Sequence, residues 1–107
     1  MNYIDKSIAM KYLMGNEKIF VKIKDSFLAS NSNFMDRYFQ LLESKNVDEA
    51  YLYVHSIKGI SLNLGAYVLY DACENFLKEL KKELWRKDLL DDFFQVLSFT
   101  YKELKLL

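Results

Sequence analysis

Apolar residues return every three or four positions over long stretches of this chain, the spacing at which side chains share one face of an α-helix. Phe20, Ile23, Phe27, Phe34, Tyr38 and Leu41 form one such stripe between about Glu17 and Lys45. The middle of that segment, Ser30 to Asn33, reads Ser-Asn-Ser-Asn. These are weak helix formers whose side chains compete for backbone hydrogen bonds, which predicts a kink or a short break. Ahead of it, Asp5 to Met14 predicts a short helix ended by Gly15, with Asn16 capping the helix that follows. Asn46, with Glu49 three residues on, is a variant of the capping box and opens a segment that reaches about Leu64 and stops at Gly65. A third segment runs from Ala66 to about Trp85 on a stripe of Leu69, Cys73, Phe76, Leu80 and Leu84. In the last, Asp88 is expected to cap a helix carrying Leu90, Phe93, Leu97, Tyr101 and Leu104. Amphipathic helices joined by short connections must bury their stripes against one another. The pattern therefore predicts an all-α fold, an antiparallel up-down four-helix bundle with a short extra N-terminal helix.

Composition sharpens this picture. The chain has no proline and only three glycines, where an average sequence of this length carries about five prolines; so few breakers favour helices throughout. With 107 residues, 51% of them apolar, residues 1–107 are read as a single domain whose core needs neither disulfide nor metal. Fifteen Lys and Arg balance fifteen Asp and Glu, so the basic surplus of a nucleic-acid binder is missing. Cys73, the one cysteine, cannot form an internal disulfide, suits a reducing compartment and is read as core packing. No stretch has the shape of a signal peptide, and no apolar run approaches the ~20 residues of a membrane span. A monomeric cytoplasmic protein is expected, with no membrane and no nucleic-acid partner. It is expected to be free-standing, since the chain starts with methionine and finishes in a helix.

The chemistry concentrates between Val54 and Ala66, V-H-S-I-K-G-I-S-L-N-L-G-A. Ala50, Tyr53, Val54, Ile57, Ile60 and Leu64 make the inward stripe of this helix, and His55, the chain's only histidine, falls off it. His55 shares its line with Asp48, Tyr51 or Leu52, Lys58, Gly59 and Leu62, and the charges on that line turn it toward solvent. Lys58 can bring a point charge to whatever the imidazole carries. Gly59, inside a helix, costs about 1 kcal/mol relative to alanine; removing a side chain there clears room for a large partner. Leu52 and Leu62 flank the site as apolar docking groups. Together these describe a nucleophile presented in the open. A nucleotide site is not expected, because Gly15, Gly59 and Gly65 form no phosphate loop, which argues against kinase or phosphatase activity of the chain's own. One histidine and one cysteine on different helices make no metal-ligand set.

H-S-I-K-G-I-S-L-N-L-G-A resembles the signature of histidine-containing phosphotransfer (HPt) domains, roughly H-x-x-K-G-x-x-x-x-x-G-A/G, with His55, Lys58, Gly59, Gly65 and Ala66 on its fixed positions. Y-L-M-G-N-E-K-I-F before the first long helix and N-V-D-E-A before the site also resemble the family, so the likeness covers nearly the whole chain. It implies that His55 accepts a phosphoryl group on Nε2 from a receiver-domain aspartyl phosphate and passes it to another receiver in a multistep phosphorelay. Lys58 would offset the charge of the phosphate, and Gly59 would leave clearance for the receiver. The partners implied are response-regulator receiver domains and a hybrid sensor histidine kinase. The Mg²⁺ and most of the catalytic groups would belong to the receiver, leaving this chain without a cofactor. Twenty-two residues past His55, where many members carry glutamate or glutamine, stands Leu77. It is read as extending a docking patch of Tyr51, Leu52 and Leu62, the alternative being that Glu74 or Lys78, one helical step away, substitutes for the family's polar residue in orienting the imidazole. The rival reading is a four-helix interaction module that docks a receiver and is never phosphorylated; the His55–Lys58–Gly59 trio separates the two. The lysines at 78, 81 and 82, interleaved with Glu79 and Glu83, are read as a solvated face.

Overall fold

In a computed structural model that describes residues 2–107, six α-helices follow one another: α1 (Lys6–Tyr12), α2 (Glu17–Ser30), α3 (Phe34–Ser44), α4 (Val47–Ser61), α5 (Tyr67–Lys81) and α6 (Lys87–Lys105). No strand occurs among the described residues. Their starts follow from local chemistry. Asp5 accepts from the Ser7 amide at 3.0 Å to begin α1, Asn16 accepts from the Ile19 amide at 3.0 Å to begin α2, and Asn46 accepts from the Glu49 amide at 3.0 Å to begin α4. Each side-chain oxygen meets a first-turn N–H that has no partner within its helix.

The interruption predicted at Ser30–Asn33 separates α2 from α3. Its agent is Asn31, whose buried side chain donates to the Phe27 carbonyl at 3.0 Å and accepts from the Tyr53 hydroxyl at 3.2 Å. That carboxamide shares the Phe27 carbonyl with the Asn31 amide, which caps the end of α2, and ties the break to α4. At the other end of α4 the helix tightens into a 3₁₀ turn, Leu62–Leu64, and Gly65 leaves it at φ +70°. The Gly65 carbonyl accepts from the Asp5 amide at 2.8 Å, which holds the start of α1 against this turn.

Two boundaries differ from the sequence pattern. The fifth helix stops at Lys81 rather than near Trp85, because Glu83 turns left-handed (φ 59°) and the Leu84 amide folds back onto the Glu79 carbonyl at 3.0 Å. Leu84 therefore no longer falls one turn beyond Leu80, and it is 49% exposed instead of lying in the core stripe. Asp88 does not cap the last helix. It stands inside the first turn of α6, where the Arg86 guanidinium takes both carboxylate oxygens at 2.9 and 2.7 Å, a fork geometry that outcompetes a single amide.

The core joins all the long helices. Phe27, Leu41, Val54, Leu69, Phe76, Phe93, Leu97 and Leu104 are all buried in one cluster, and α4 packs on α5, α5 on α6, and α2 and α3 on α6. The Cα radius of gyration, 13.7 Å, is near the ~13 Å of a compact chain this long. No helix of the described residues is long and apolar enough to cross a membrane. Near the start, the Glu103 carboxylate accepts from the Tyr3 amide at 2.9 Å and the Ile4 amide at 2.8 Å, clamping the first residues onto α6.

Cys73 lies in this core, and burial pushes its thiol from 9.0 up to about 12; burial likewise raises Tyr53 from 10.0 to about 12. Both groups hold their protons in the folded state at pH values where the unfolded chain has lost them. From pH 9 upward for Cys73, and from pH 10 for Tyr53, the unfolded state binds fewer protons, so stability falls as pH rises. The midpoint of urea unfolding should decline across pH 9 to 11, with a shallower decline in Cys73→Ala, where the first of these titrations is gone. Identical slopes in the two proteins would contradict this assignment.

Candidate functional site

The buried edge of α4 is Ala50, Val54, Ile57 and Ser61. At 3.6 residues per turn, the residue after Val54 points about 100° round the helix, and His55 is exposed there. Its imidazole lies nearly parallel to the ring of Tyr51, one turn earlier, with centroids 5.7 Å apart and planes 18° apart. No hydrogen bond to the imidazole occurs among the described residues. One turn further on, the half-buried Lys58 lays its ammonium 5.4 Å from the ring centroid of Tyr70 on α5. The Glu74 carboxylate, first as an acceptor for the Tyr70 hydroxyl and then by its charge, holds the ionisation of that hydroxyl above the ordinary tyrosine value. A Cβ added at Gly59 would meet nothing within 4 Å, so the surface beside His55 is open.

His55 and Lys58 stand on a ridge between two shallow concavities and line both. On one side are Tyr12, Gly59, Leu62, Asn63 and Tyr70, around about 270 Å³. On the other are Tyr51, Glu74, Leu77, Lys78 and Lys81, around about 240 Å³. The second groove thus sets three ammonium groups against one carboxylate, a local field that favours an anion beside the imidazole.

Comparison with family models, with curated proteins and with solved structures finds no match to this chain.

The docking residues read from the sequence separate on the structure. Tyr51 and Leu62 line the two concavities beside His55, both half-buried. Leu52 is 70% exposed but belongs to a different hollow, with Arg37, Gln40, Glu49 and Tyr53. Leu77 is corrected: it is 5% exposed, packs in the core cluster and forms the floor of the lysine-lined groove, so it adds no exposed apolar patch. The reason is the α5 stripe, where Cys73, Phe76, Leu77 and Leu80 are all buried and Leu77 is the member nearest α4's exposed edge.

Conversely, Lys81 and Tyr70 carried no signal in the sequence reading, and Lys78 little. They lie on α5, and only the packing of α5 along α4 brings them beside His55. A run of alternating lysine and glutamate gives no clue to which members border a groove on another helix. Elsewhere, the groove formed by Met35, Tyr38, Asp91, Phe94, Gln95, Ser98 and Phe99 is largely apolar and has no nucleophile comparable to the imidazole.

Proposed function

We propose that the protein is a histidine phosphocarrier, in which His55 takes a phosphoryl group from a receiver-domain aspartyl phosphate and yields it to the aspartate of another receiver. In the forward step a ring nitrogen of His55 attacks phosphorus, the N–P bond forms as the acyl-phosphate P–O bond breaks, and the receiver aspartate leaves as carboxylate. Such a transfer is governed by positioning and charge stabilisation rather than by covalent machinery in the carrier. The observation that carries the reading is a sole histidine exposed on α4 with a lysine one turn on and open space at Gly59. Lys58, with Lys78 and Lys81 across the groove, would offset the phosphoryl charge. Mg²⁺ belongs to the receiver in this scheme, and a hybrid sensor histidine kinase would feed the relay from a cytoplasmic compartment.

The scaffold belongs to the same proposal. The contiguous pair α2–α3, with α4, α5 and α6, would form the four staves of an antiparallel up-down bundle, and α1 the short extra helix. Principal extents of 39 × 24 × 24 Å suit this arrangement, since the 19 residues of α6 span about 28 Å.

Incubation with a phosphorylated receiver and Mg²⁺ tests the function. The chain should acquire one phosphate, labile in acid and stable in base, as a phosphoramidate is; several receivers that all fail to label it would refute the proposal. Gly59 offers a second test, in which stability and transfer part company. Gly59→Ala should stabilise the fold by up to about 1 kcal/mol, because the new methyl meets open space in a helix interior. Gly59→Trp should stay folded yet slow transfer roughly tenfold or more, by keeping the receiver away. A tryptophan variant that transfers at the normal rate would show that clearance is not its role.

A further inference from the structure

We infer that Tyr51 is a positioning residue, whose ring fixes the plane of the His55 imidazole by stacking where a hydrogen-bonding partner is missing. The consequence for transfer rests on the phosphocarrier reading; the geometry does not.

Helical side chains lean toward the N-terminus and onto the residue four positions earlier. For His55 that residue is Tyr51, and the centroid distance of 5.7 Å with planes 18° apart lies within the offset-stacking range of aromatic pairs. The two rings are not equivalent. Tyr51 is half-buried and packed against the core cluster, whereas His55 is exposed, so the tyrosine is the fixed base and the imidazole the part that is held. An exposed histidine without such a base rotates broadly about χ2, which sweeps both ring nitrogens through all directions. In-line attack requires one nitrogen aimed at phosphorus.

No hydrogen bond holds the ring among the described residues. Leu77, facing it from α5, has no polar atom and is 5% exposed. Glu74 makes no hydrogen bond to the imidazole among the described residues, and the Lys58 ammonium rests over the Tyr70 ring. Stacking on Tyr51 is the contact that remains.

The test uses the full chain and two readouts. His55 is the only histidine, so its ring protons form an isolated pair of resonances in the NMR spectrum of the unphosphorylated protein. They should be shifted upfield by the Tyr51 ring in the wild type and in Tyr51→Phe, and should move to random-coil positions in Tyr51→Leu. Single-turnover transfer from a phosphorylated receiver should then fall about tenfold in Tyr51→Leu at saturating receiver, with the half-saturating concentration unchanged and with Tyr51→Phe close to wild type. Random-coil ring resonances in the wild type would overturn the inference, whether or not the protein carries phosphate. So would a Tyr51→Leu variant that transfers at the wild-type maximal rate, or one whose loss appears only as weakened receiver binding; either leaves the phosphocarrier reading intact. Shifted resonances with no transfer in the wild type would sink that reading and leave the stacking in place.

Discussion

Gly65→Ala should lower the melting temperature by on the order of 15 °C, a large loss for a substitution that adds one methyl group. Two costs combine. At φ +70° a residue with a Cβ is held in the left-handed region, at about 1–2 kcal/mol. The added carbon would also overlap the carbonyl oxygen of Asp5 and lie 2.8 Å from its carbon. Those are backbone atoms that no rotamer change can move, and the same carbonyl accepts from the Ile8 amide at 3.0 Å in the first turn of α1. Relief requires the start of α1 to withdraw, breaking the 2.8 Å bond from the Asp5 amide to the Gly65 carbonyl. A combined loss of roughly 3 kcal/mol translates to the stated shift for a domain of this size. Thermal unfolding followed by circular dichroism measures it. Gly65→Asn separates the two terms, because asparagine tolerates the left-handed region but keeps the overlap. It should melt almost as early as the alanine variant, and recovery to near wild type would show that Asp5 contributes little.

His55→Gln should abolish phosphate incorporation while leaving the fold nearly untouched. The ring is exposed and lies outside the core cluster, so the stability change should stay within about 0.5–1 kcal/mol, the scale of a surface substitution that forfeits one exposed stack. No other histidine is present to take over. Quantitative mass spectrometry of the intact chain after incubation with a phosphorylated receiver reads the outcome directly. Label persisting in His55→Gln would place the phosphate elsewhere. Were it also acid-stable, a hydroxyl would be its carrier, and the eight tyrosines would come first under suspicion.

How far such outcomes could be anticipated from residues alone varied along the chain. Helix starts at Asp5, Asn16 and Asn46 were legible because a cap is a contact between neighbours, and so was the break after Ser30, where Asn31 turns on its own helix. The exposure of His55 followed from its angle to Val54 and Ile57. What escaped depended either on local competition that periodicity does not register or on groups distant in sequence. Asp88 was drawn off by Arg86, Leu84 was displaced by the turn at Glu83, and Leu77 was sealed beneath α4. Lys78 and Lys81 border the imidazole only because two helices lie side by side. The carbonyl of Asp5 sets the demand on Gly65 from sixty residues away.

The clamp made by Glu103 has a consequence for the order in which the chain assembles. Its acceptors serve amides about one hundred positions upstream, so during synthesis the leading residues emerge long before the group that secures them exists. Formation of these two bonds is therefore a late event, closing a loop of about one hundred residues. A nascent chain halted before its final helical turns would lack these two bonds and hold residues 2–5 only through the Asp5 amide on the Gly65 carbonyl and the Tyr67 hydroxyl on the Asn2 carbonyl.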